Sequence, residues 1–231
     1  MEYYQDILKI VRNYVDSIPF EVGPFGIAQH PFFTSFATID MRTNKMIKIT
    51  KKNLKLLLEQ RYKHLEKMLK TDKEFTRLFM MIHKPYRLPI FVQLIEFFNE
   101  KQYSEILIDL WISTEFPHQN GVSLMCNLFD KSKKRYMMDN EEKKRLKNLG
   151  NIITIYRGLQ GEAKIKALSW TLDKKQAIWF ATRFSQKGRV FKSQIEKKYI
   201  YAYKNDRGES EVIINPNHLM RIEEVLYPVE E

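Results

Sequence analysis

The run Ile152-Ile153-Thr154-Ile155-Tyr156 constrains this chain more than any other stretch, because β-branched and aromatic residues suit a pleated surface better than a helix. It predicts a buried strand that ends at Arg157-Gly158, which leaves a permanently charged side chain beside a flexible glycine. A second strand is expected at Ala167-Leu168-Ser169-Trp170-Thr171, where the period of two places Ser169 and Thr171 on one face and Trp170 on the other. Asp173 followed by Gln176 has the form of a capping box. Ala177, Ile178, Phe180, Ala181 and Phe184 follow at helical spacing, so a helix is expected directly after the hydroxyl-bearing strand. Strands at 188–195 and 199–203 come next. The turn Asn205-Asp206-Arg207-Gly208 then delivers Glu209-Ser210-Glu211 into the apolar strand Val212-Ile213-Ile214, with Glu209 and Glu211 expected on a common face.

One guanidinium, two hydroxyls and two carboxylates at strand ends suit a particular chemistry. A planar guanidinium fork matches a diphosphate. A carboxylate beside a sugar can hold a ribose hydroxyl while positive charge develops at the anomeric carbon. Together they fit cleavage of the glycosidic bond of a nucleotide. Each motif alone has an ordinary explanation: Arg-Gly is a common turn dipeptide, Ser-x-Thr suits a half-buried strand, and Glu-x-Glu arises readily in a chain that is 29% charged. Their joint order, each at an expected strand boundary, favours the catalytic reading.

The order Tyr156-Arg157-Gly158, Ser169-Trp170-Thr171, Glu209-Ser210-Glu211 resembles the arginine, serine, glutamate signature of NAD-dependent mono-ADP-ribosyltransferases, in the clade whose last motif is Glu/Gln-x-Glu. The resemblance covers about the last third of the chain. It implies that Arg157 grips the NAD phosphates or the adenosine-side ribose and that the backbone of Gly158 holds the nicotinamide carboxamide. Ser169, with Thr171, would hold the catalytic carboxylate and the dinucleotide in place. Glu211 would bond the nicotinamide ribose and stabilise an oxocarbenium-like transition state, while Glu209 orients or deprotonates the acceptor. The family also implies an aromatic side chain stacked on nicotinamide, for which Trp170, Phe180 and Phe184 are the candidates. Trp170 departs from the pattern, standing where many relatives have a small residue. Transfer to arginine side chains and transfer to nucleobases both accompany this motif in the family, so the motif itself leaves the acceptor open.

Charge bears on that choice. The 231 residues carry 39 Lys and Arg against 28 Asp and Glu, a net charge of +11. Residues 45–77 hold eleven basic and four acidic side chains and residues 131–147 hold eight and three, which is more than the whole surplus. Lysine-rich helices are commonly just solvated faces, but patches of this kind also gather a polyanion and repel an arginine-rich protein. Single-stranded nucleic acid, RNA or DNA, is therefore the expected acceptor, in a toxin or phage-conflict setting to which a neutralising partner protein belongs. Protein arginine is the alternative acceptor. A non-catalytic module that binds nucleic acid or neutralises a toxin on a degenerate version of the fold is the competing class.

Other features bound the chemistry. Cys126 is the single cysteine, so no internal disulfide framework exists, and a buried, inert thiol is expected. His30, His64, His83, His118 and His218 are scattered, and no metal site is expected. No glycine fingerprint of a dinucleotide-binding βαβ unit is present, so NAD would bind without one. The N-terminal residues lack the pattern of a secretory signal and no run reaches transmembrane length, which leads to the expectation of a cytoplasmic protein without membrane contact.

Along the chain, an amphipathic helix is expected at 3–15, and a hairpin around Arg42-Thr43-Asn44. A strong helix with Thr50 as cap carries Leu54, Leu57, Leu58, Tyr62, Leu65 and Leu69. Helices at 73–83, 90–99 and 104–116 follow, with Pro85 and Pro89 breaking the first from the second. Residues 117–121 read as a loop that lies over a pocket. Asp139 or Asn140 caps a short helix closed by Gly150. The expected fold is α+β: a mainly helical accessory region at 1–148 packed on an ADP-ribosyltransferase-like core at 149–231, built on a bent antiparallel sheet, with NAD in the cleft between them.

Overall fold

The computed structural model describes residues 3–71, 75–113, 121–184 and 188–227. Packing divides the chain into two compact units, Met1–Glu115 and Phe116–Glu231. The sequence had suggested a division at 148; the packing groups the helices between 121 and 148 with the sheet.

In the first unit, α1 (Tyr3–Asp16) buries Ile7, Val11 and Val15, one turn apart along one stripe. Strands β1 (Glu21–Val22) and β2 (Ala28–Gln29) pair briefly. β3 (Ala37–Asp40) and β4 (Lys45–Lys48) form the expected hairpin, with Asn44 in the left-handed region at φ 54°. α2 (Leu54–Thr71) follows. Thr50 lies a turn before this helix, where its N–H donates to the side chain of Asn53 at 2.7 Å. α3 (Thr76–Met81) ends two residues before the expected His83. α4 (Lys84–Gln93) corrects the expectation that two prolines break the chain here: Pro85 occupies the first turn, where a missing N–H leaves nothing unsatisfied, and Pro89 is accommodated inside. The helix expected at 90–99 is thus the end of α4 and a 3-10 turn at Ile95–Phe97. α5 (Glu100–Ser113) starts a turn earlier than expected, because the Asn99 side chain accepts from the N–H groups of Lys101 and Gln102.

Among the described residues the first helix of the second unit is α6 (Val122–Lys131), which sequence periodicity does not single out; it buries Met125, Cys126, Leu128 and Phe129. Burial raises the pKa of the Cys126 thiol. α7 (Lys134–Met137) and α8 (Asn140–Asn148) follow. At α8 Asp139 and Glu142 form a reciprocal capping box, and the acidic first turn with a basic last turn suits the helix dipole. Residues 117–120 of the loop expected over a pocket lie outside the described residues.

The strands β5 (Ile152–Leu159), β6 (Ser169–Thr171), β7 (Arg189–Glu196), β8 (Ile200–Lys204), β9 (Glu211–Ile214) and β10 (Glu223–Val225) form one six-stranded antiparallel sheet, ordered β10-β7-β5-β6-β9-β8. The protein is thus mixed α and β. β10 was not foreseen. α9 (Lys174–Thr182) leaves β6 as expected, but its cap is simpler than a capping box: the Asp173 carboxylate accepts from Lys175 N–H. α9 lies so close to β5 that a Cβ on Gly158 would sit 1.9 Å from the Ala177 carbonyl oxygen. Glycine is required there by contact with the helix backbone.

Candidate active site

The three motifs occupy three neighbouring strands, β5, β6 and β9. Tyr156, Thr171 and Glu211 stand in one cross-strand row, since Tyr156 pairs with Thr171 and Thr171 with Glu211. Pairing of β5 with β6 is confined to Tyr156 and Thr171, so from Arg157 to Leu159 β5 is paired in the sheet on its β7 side alone. The arginine therefore sits where two strands part.

Arg157 shares its face of β5 with Ile153, Ile155 and Leu159, all buried. A cation among apolar side chains demands a reason. Its Nη1 donates to the carbonyl oxygen of Ser169. Its Nε is shut off from solvent and has no hydrogen-bond partner among the described residues. Burial pushes its pKa down to about 10, and the Glu211 carboxylate acts against that shift. At neutral pH the group stays charged, so a desolvated guanidinium with one unused donor is held near a carboxylate. Such a group suits an anion, and a diphosphate oxygen fits the need.

Glu211 opens β9 and is 8% exposed. Glu209 does not share a strand face with it, contrary to the expectation from spacing. Glu209 precedes the strand, and Ser210 adopts the left-handed backbone at φ 46°, which breaks the alternation. The Glu209 carboxylate lies 3.2 Å from the Arg207 guanidinium. The Thr171 hydroxyl donates to the Glu209 carbonyl at 2.8 Å and accepts from Asp173 N–H at 3.0 Å. Thr171 thus fixes the turn that carries Glu209 and the start of α9. Ser169 is half-buried and lends its carbonyl to Arg157.

The aromatic candidates separate clearly. Trp170 is 2% exposed and its indole N–H donates to the Ala167 carbonyl at 2.9 Å. It is a core residue in this conformation, and a ring so enclosed has no face to offer nicotinamide. Phe180 is half-buried and Phe184 is 65% exposed. Both lie under the Arg183 guanidinium, at 5.0 and 4.8 Å, together with the half-exposed Trp179 at 5.4 Å. Trp179 was not among the sequence candidates.

Gly158 has its backbone within β5, paired opposite Val190. The position is fixed by α9, as described above.

Glu142 was missed as a member of this region. Its Oε2 accepts from Lys204 Nζ at 2.8 Å and its Oε1 from Asn205 N–H at 3.1 Å. Lys204 is the cross-strand partner of Glu211, and it also lies 3.2 Å from Asp206. Burial works against the Lys204 ammonium, but Glu142 and Asp206 outweigh it, and the pKa is raised. The Asp139-x-x-Glu142 spacing was the available signal, since it spells a capping box.

No family model, curated protein or solved structure matches this chain. Among the described residues no group of three or more His, Cys, Asp or Glu is placed to hold a metal ion, and no helix is long and apolar enough to cross a membrane.

Proposed function

We propose that the protein is an NAD-dependent mono-ADP-ribosyltransferase on an ADP-ribosyltransferase-like sheet, with a macromolecular acceptor. The observation that carries this reading is the desolvated Arg157 guanidinium, with its unused Nε, held near Glu211 where β5 and β6 part. Arg157 binds the dinucleotide phosphates. Glu211 holds the nicotinamide ribose and opposes the positive charge that grows at its anomeric carbon. The bond from that carbon to the pyridinium nitrogen breaks, the electron pair leaves with neutral nicotinamide, and an acceptor atom attacks the carbon. Glu209 takes the proton that the acceptor loses. Phe180, Phe184 and Trp179 are the exposed or half-exposed rings available for stacking.

Single-stranded nucleic acid is the proposed acceptor, in a toxin or phage-conflict setting, and protein arginine the alternative. Labelled NAD incubated with the protein and a cell lysate tests both. Label lost to nuclease identifies nucleic acid, label lost to protease identifies protein, and no labelled macromolecule with no free nicotinamide overturns the reading. The last outcome would favour a non-catalytic module, a class supported by the amount of polar bonding that Thr171 and Arg157 already make to backbone carbonyls.

A further inference from the structure

The basic run at 131–147 folds into one wall of a cavity of about 530 Å3. α7, α8 and the 3-10 turn Lys197–Tyr199 bring Lys134, Arg135, Lys143, Lys147, Lys197 and Lys198 to its lining, and Met138 and Leu146 give it an apolar part. No carboxylate is among its described lining residues. Two of the cations brace the walls: Lys134 Nζ donates to the Lys198 carbonyl at 2.9 Å, and Lys197 Nζ donates to the carbonyls of Leu149 and, at 3.0 Å, Lys147. Burial pushes the Lys134 pKa down, because the ammonium is partly withdrawn from water. Lys198 also pairs with Glu196 at 2.7 Å.

Aromatic rings adjoin this lining. Arg135 lies over the Tyr136 ring at 4.6 Å and Lys198 over the Tyr199 ring at 4.8 Å. Tyr199 in turn stacks flat on His218, at 3.5 Å and an interplanar angle of 3°. Glu196 answers Lys198, and backbone carbonyls answer Lys134 and Lys197, so Lys143 and Lys147 lead the charge this wall offers to an anion from outside. Successive phosphates match two like charges one turn apart, and the apolar Met138 and Leu146 beside them suit the faces of unpaired bases. Lys143 and Lys147 stand one turn apart on α8, with about 5–6 Å between their Cβ atoms, near the spacing of neighbouring phosphates along a strand.

We propose that this cavity binds the backbone of single-stranded nucleic acid, with Lys143 and Lys147 contacting successive phosphates. Asn151 of the lining directly precedes β5, which begins at Ile152 and reaches Arg157 about 17 Å further on at about 3.3 Å per residue, so a strand of a few nucleotides spans the interval. That the strand docked here is the acceptor rests on the transferase reading. That it binds at all does not.

The test is fluorescence anisotropy with a short labelled oligoadenylate RNA and no NAD, comparing wild type with the double variant Lys143→Gln/Lys147→Gln. Lys51→Gln/Lys52→Gln removes the same charge from the other unit and serves as control. The cavity variant should bind about tenfold or more weakly, and its slope of log affinity against log salt should shrink by about 1.4, or about 0.7 for each lost phosphate contact. The control should match wild type. Unchanged affinity and slope in the cavity variant, or an equal loss in the control, overturns the site. Competition by a DNA duplex as strong as by a single strand overturns its preference for unpaired bases. Because no NAD is present, loss of this site leaves the transferase reading standing, and loss of nicotinamide release leaves this site standing.

Discussion

Lys204 Nζ donates to Glu142 Oε2 at 2.8 Å across 62 residues of sequence, and this ion pair ties α8 to the strand end from which the Glu209 turn departs. Both side chains are nearly enclosed, at 11% and 5% exposure. Removing one partner of such a pair leaves a buried charge, which costs more than the pair itself contributes.

Glu142→Gln should therefore destabilise the protein by about 3 kcal/mol, the low end of the range for a broken buried pair because Asp206 still faces Lys204. Urea unfolding measures this. Hydrogen exchange should also quicken at Asn205, whose N–H now donates to Glu142. Unchanged stability and exchange would mean the turn is held by other contacts.

Gly158→Ala tests the approach of α9 to β5. The new methyl would meet the Ala177 carbonyl oxygen at 1.9 Å and Ala181 N at 2.8 Å, both backbone atoms that cannot step aside alone. A loss of about 3 kcal/mol or more in stability is expected from overpacking of this kind. A normal unfolding midpoint would show that the helix has room.

His30 gives the first unit a pH dependence. Burial lowers its pKa to about 4, with Asp16 acting in the opposite direction, and its Nδ1 accepts from Phe32 N–H at 3.1 Å, a bond only the unprotonated nitrogen can accept. The unfolded chain therefore binds the proton first as pH falls. The contribution is fully present above about 6.5 and is lost between about 6.5 and about 4, to a total of about 3 kcal/mol. In His30→Asn the difference from wild type should shrink as pH is lowered through that window. A constant difference would contradict the assignment.

Arg157→Lys keeps the charge and removes the planar fork. Nicotinamide release at low NAD should fall about tenfold or more, while far-ultraviolet circular dichroism stays unchanged. Equal activity would remove Arg157 from the phosphate site.

The strands that carry the motifs were legible because β-branched runs leave few alternatives: Ile152-Ile153-Thr154-Ile155-Tyr156 and Val212-Ile213-Ile214 are both in the sheet. Order along the chain did not reveal that β5, β6 and β9 would be neighbours, since register is set by long-range pairing. Glu209 was misplaced because spacing alone assumes an unbroken strand, and a left-handed Ser210 interrupts it. Trp170 looked available because alternation tells which face a side chain takes but not whether that face is covered. α6 escaped notice because it buries four residues between a loop of turn formers and a basic run, each of which masks its periodicity. Pro89 sits inside α4 against its local preference, held there by buried Leu88, Ile90 and Phe91.

Glu211 is the residue proposed to stabilise charge at the nicotinamide ribose. The most direct measurement is nicotinamide release from NAD by wild type and by Glu211→Gln, in the presence of single-stranded RNA and with folding checked by circular dichroism. Wild type should release nicotinamide measurably, and release should fall about 100-fold or more in the folded variant, because the amide keeps the shape but not the charge. Equal release by a folded Glu211→Gln protein, or none by wild type, would contradict it.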